Sequence, residues 1–70
     1  MCNKVMRARV LEVLEDGLLV EDLANGQEVI VHYGMACRFC PGDCVCICHN
    51  GAMTMSIPPQ ISAICIRRYR

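Results

Sequence analysis

Residues 8–32 read ARVLEVLEDGLLVEDLANGQEVIVH, and this stretch decides the fold. Three runs rich in Val, Leu and Ile are separated by Asp16-Gly17 and Asn25-Gly26. Such dipeptides readily supply the positive φ angles of a tight hairpin, so the pattern predicts a three-stranded antiparallel meander. The first strand covers residues 4–14, with Ala8 and Val10 inward and Arg7 and Arg9 outward by the two-residue period of a strand. The second covers 18–23 and holds Glu21-Asp22 where apolar–polar alternation is expected. A bulge or one-residue slip within it would restore the pattern. The third covers 28–33.

Beyond the meander, residues 43–48 (DCVCIC) form a fourth strand ended by Asn50-Gly51, and residues 61–68 form the last. Residues 53–57 can return as a short strand before Pro58-Pro59 breaks it. Between the third and fourth strands, residues 34–40 leave room for two helical turns at most before Pro41. Five or six short strands separated by turn signals argue for a barrel or a small sandwich. With 70 residues the chain makes one domain, and barrel closure suits it because closure leaves few open edges.

The formal net charge is zero, but its distribution is uneven. Six of the seven acidic residues lie between Glu12 and Glu28, while the bases sit at Lys4, Arg7, Arg9, Arg38, Arg67, Arg68 and Arg70. Such segregation can give a neutral protein one basic face, although solvated arginines at the two ends would look the same. No signal peptide is visible after the first residues, and no apolar run reaches the ~20 residues of a membrane-spanning helix. The expectation is a soluble cytoplasmic protein with its seven cysteines reduced.

The sequence resembles the bacterial translation initiation factor one family. Val10-Leu11-Glu12, Leu14, Leu23, Asn25-Gly26, Glu28 and His32 fall, without a gap, where that family has its VLE-x-L, its L-x-NG and its strand ending in His. Pro41-Gly42-Asp43 matches its turn into the fourth strand, and Arg68-Tyr69-Arg70 resembles its basic C-terminal ending. The second half aligns only with a deletion before Pro41 and an insertion after the fourth strand. The resemblance implies an all-β fold: a five-stranded S1-like OB-type barrel over residues 1–70, with a shortened helical segment between strands three and four. It also implies a function, the binding of small-subunit ribosomal RNA at the decoding site during translation initiation, with other initiation factors as possible neighbours. Arg38 matches an arginine in the family's RNA-reaching loop, but Met35 and Ala36 stand where a Gly and a Lys usually precede it.

Arg67, Arg68 and Arg70 are the strongest electrostatic candidates, because guanidiniums pair phosphates bidentately. Arg7, Arg9 and His32 join them as candidate RNA contacts. Tyr69, and Tyr33 and Phe39 near Arg38, could stack on an unpaired base, or could simply pack locally. His32 has an equally ordinary alternative, a strand-end histidine bonded to its neighbours.

Seven cysteines in so short a chain call for their own account. Cys37 and Cys40 have the spacing of half a zinc knuckle, with Cys44 and Cys48 as weak candidates to complete it. No second well-spaced pair exists, so the expectation is that no metal or other cofactor is needed, zinc being the only one to consider. Cysteine as a small apolar strand filler is the plainer explanation. If Val45 and Ile47 face the core, then Cys44, Cys46 and Cys48 form an uncharged outer face through which copies of the chain could associate. The alternative function follows from that face: a cysteine-rich metal-binding or protein-interaction module, a paralogue that no longer binds the ribosome. No catalytic constellation is present, so an enzyme is not expected.

Overall fold

A computed structural model describes residues 4–69. Strands β1 (Lys4–Val13), β2 (Gly17–Asp22), β3 (Glu28–His32), β4 (Cys44–His49) and β5 (Gln60–Arg68) close into a barrel in the order β1-β2-β3-β5-β4, with β4 returning to β1. All neighbours are antiparallel except β3 and β5, which run parallel. This is the five-stranded OB-type barrel. One 3-10 turn, Ala36–Arg38, is all that remains of a helix between β3 and β4. No helix among the described residues is long and apolar enough to cross a membrane.

The alternation anticipated for the first strand holds: Met6, Ala8 and Val10 point into the barrel, while Val5, Arg7 and Arg9 are exposed. Leu18 and Val20, Val29 and Val31, Val45 and Ile47, and Ile61 and Ile66 complete the inner layer. Phe39 and Ala36, on the segment between β3 and β4, join the same core.

Two details of the meander differ from expectation. The bulge lies on β1, where Val10 pairs with Val20 but Glu12 pairs with Leu19, leaving Leu11 as the extra residue. β2 needs none: Glu21 faces outward opposite Arg9, and Asp22, the last residue of the strand opposite Ala8, leads into the turn, its Oδ1 accepting from the Ala24 amide. Asn25-Gly26 turns as expected, with Gly26 at φ 74°. Gly17 is a glycine for another reason. It carries no positive φ; a Cβ there would stand 1.9 Å from the Val31 carbonyl oxygen across the β2–β3 ladder.

Residues 50–59 fold back without forming the short return strand. The Thr54 amide donates to the Gln60 carbonyl at 3.0 Å, and the Gln60 amide donates to Thr54 Oγ1 at 3.0 Å. The tip projects outward, leaving Met55 and Ile57 98% and 99% exposed.

Candidate nucleic-acid interface

Strand pairing sets β1, β4 and β5 side by side and builds one outer face in rows. Arg7 pairs with Cys46, and Cys46 pairs with Arg67. One row along, Arg9 pairs with Cys44, whose carbonyl accepts from the Tyr69 amide at 3.0 Å. One row the other way, Val5 pairs with Cys48 and Cys48 with Cys65. The Arg7 and Arg67 backbones therefore stand about 10 Å apart, two strand spacings, on either side of a half-buried cysteine. The Arg7 guanidinium lies 5.8 Å from the centre of the Tyr69 ring. Neither Arg7 nor Arg67 has a carboxylate partner among the described residues.

The other cations expected at the interface are differently employed. Arg9 donates to Glu21 at 2.8 Å, an ion pair that sits on the surface and partly cancels its charge. Arg68 shares its register with the core residue Val45, so at the rim of the barrel it turns back over the end. There its Nε donates to Asp43 Oδ2 at 3.0 Å, its Nη2 donates to the Arg38 carbonyl at 2.7 Å, and its guanidinium lies 5.4 Å from the Phe39 ring centre. Arg68 thus clamps the β3–β4 segment to β5. Asp43 takes a further hydrogen bond from the Cys40 amide at 2.9 Å. That backbone donor above all holds its carboxyl below the usual carboxylate value; desolvation opposes it, and the hydrogen bond and charge of Arg68 lower it further. Arg38 is exposed beside this clamp, and Arg70 lies outside the described residues.

Phe39 is buried, its ring 6.4 Å from that of Tyr33 at a tilt of 48°. It is a core residue and offers no platform to a base. Tyr69, 43% exposed, is available for stacking.

His32 stands apart from the arginine row, at the seam between β3 and β5. Its Nε2 meets Gln60 Oε1 at 2.7 Å. The two side chains edge an open pocket of about 360 Å³ that Met53 and Thr54 of the folded-back loop also line. Met53 also borders a second hollow of about 570 Å³ that runs to Lys4 and Arg7. On the opposite side of His32 lies the acidic turn Glu15-Asp16, which repels phosphate. Gln60 could not be found from the sequence, because only the long-range parallel pairing brings it beside His32.

The cysteines divide. Val45 and Ile47 are fully buried and Cys44 and Cys46 half-buried on the outer face, as anticipated. Cys48 is only 9% exposed, and it is disulfide-bonded, so it is neither an open surface thiol, nor reduced, nor a free thiolate ligand for a metal. Cys37 and Cys40 are exposed thiols on the segment between β3 and β4. Among the described residues no three Cys, His, Asp or Glu side chains gather as a metal site would require. Compared with protein-family models, curated proteins and solved structures, the chain finds no match.

Proposed function

We propose that the chain binds single-stranded RNA across the outer face of β1, β4 and β5. The observation that carries this is the row Arg7–Cys46–Arg67: two guanidiniums without carboxylate partners among the described residues, flanking an uncharged position, with Tyr69 beside Arg7. Guanidiniums on such a row reach phosphates, and an exposed tyrosine next to them offers a base a surface to stack on. Arg38 extends the basic edge toward the β3–β4 segment. The resemblance to initiation factor one supplies the identity of the RNA, the decoding site of the small ribosomal subunit, with Arg70 as a further contact. Binding of labelled protein to isolated small subunits, competed by a decoding-site RNA hairpin, tests this. Competition by the hairpin is expected; failure to bind subunits and hairpin alike refutes it.

A second reading, a protein-interaction module, is favoured by Met55 and Ile57, which stand almost fully exposed on an uncharged loop. It predicts that replacing these two residues abolishes partner capture while RNA affinity is absent from the outset.

A further inference from the structure

We infer that the cavity between His32, Gln60 and the 50–59 loop receives one unpaired nucleobase and selects a carbonyl-bearing base, such as uracil, over adenine. The inference rests on the RNA-binding reading and names a part of the interface that the arginine row does not supply. Apart from the His32 imidazole, no ionisable side chain lines the cavity. It therefore offers little to a phosphate or a cation. What it does offer is an apolar wall, Met53, and a polar edge formed by Gln60, Ser62 and Thr54. A flat, neutral heterocycle with hydrogen-bonding groups on its rim fits that combination, and about 360 Å³ lies at the lower end of the volumes that hold small ligands.

The hydrogen bonding sets the preference. Gln60 Oε1 is an acceptor, so the 2.7 Å contact requires His32 Nε2 to carry the proton and donate it. With Oε1 engaged, the Gln60 amide presents only its NH₂ group to the cavity, and no described residue accepts from it. A glutamine reads adenine by using both ends of its amide, accepting from N6 and donating to N7. His32 blocks that mode. Two free N–H donors instead suit a carbonyl oxygen, such as O4 of uracil. Met53 borders both this cavity and the hollow that Arg7 lines.

The test compares binding of fluorescent U9 and A9 oligoribonucleotides to the wild type, Gln60→Ala and His32→Ala across a salt series. The wild type is expected to hold U9 about threefold to tenfold more tightly than A9, the range of one net hydrogen bond. Gln60→Ala should bring the ratio close to one with no change in salt dependence. His32→Ala, which frees Gln60 Oε1 for adenine, should narrow the ratio by strengthening A9, and serves alone if Gln60→Ala does not fold. Equal affinity of the wild type for the two oligonucleotides, or a ratio that both variants leave unchanged, overturns the inference. If neither oligonucleotide binds, amide NMR shifts with uridine and with adenosine separate the two claims. Uridine-specific shifts at Gln60 and Ser62 would uphold the cavity and refute the RNA-binding face; no shifts would refute both.

Discussion

Arg68 and Asp43 form an ion pair at 3.0 Å that ties the end of β5 to the turn leading into β4. The neighbouring Arg67 points to the other side of the same strand and pairs with no carboxylate among the described residues. Two adjacent arginines therefore have different tasks, one holding the fold and one facing outward.

That division can be measured. Arg68→Ala loses the Asp43 ion pair, the hydrogen bond to the Arg38 carbonyl and the contact with Phe39 together, and should lower Tm by several degrees. Arg67→Ala should leave Tm almost unchanged while weakening RNA binding. Thermal melts and binding isotherms of the two variants check this; equal effects on both properties would merge the two roles.

Acid should release the same clamp. The Asp43 carboxyl titrates below its ordinary value of 3.8, chiefly through the Cys40 amide and then through Arg68. A group with a depressed folded pKa contributes stability that is present above its unfolded pKa and is lost as pH falls through the folded one. Asp43→Asn should therefore show a shallower loss of stability than wild type as the pH falls below 3.8. Denaturant melts between pH 5 and pH 2 would show it, and parallel curves would contradict it.

On β4 the inner and outer positions should differ sharply in energetic weight. Ile47 is fully buried, so Ile47→Ala should cost about 2–4 kcal/mol through lost apolar burial and the cavity left behind. Cys46→Ser, on the half-buried outer face, should cost well under half of that. Chemical denaturation gives both values, and the reverse ranking would mean that the strand is turned over.

Gly17 makes a prediction of the opposite kind, since nothing is removed. Gly17→Ala forces a Cβ against the Val31 carbonyl and should cost about 1–3 kcal/mol, with the β2–β3 ladder giving way first. Hydrogen exchange at the Val31 and Leu18 amides would report the local opening. Wild-type protection there would show that the ladder absorbs a methyl group without strain.

What was legible in the sequence was what local pattern controls. The meander, the inward faces of β1 and β4, and the shortened segment before Pro41 follow from strand period and turn chemistry, which act over a few residues. The position of the bulge was not legible: Glu21-Asp22 looked like the irregularity, but Glu21 found Arg9 across the ladder and the extra residue fell at Leu11. Gly17 shows the same limit, because its requirement comes from Val31, fourteen positions away. For the site, the sequence could point to arginines at both ends, yet not say that Arg9 and Arg68 would be paired while Arg7 and Arg67 met across Cys46. Closing the barrel decides that, through the β1–β4 and β4–β5 registers.

The most direct test of the central claim is the salt dependence of RNA binding in wild type and in Arg7→Ala/Arg67→Ala. With about three phosphates engaged by Arg7, Arg38 and Arg67, wild-type affinity should fall about 20-fold between 50 and 200 mM salt, the counterion release expected for a single strand. The double variant should bind more weakly at low salt, with its log–log slope reduced by about 1.4, two phosphates' worth. An unchanged slope would contradict the assignment of phosphate contacts to the Arg7–Cys46–Arg67 row.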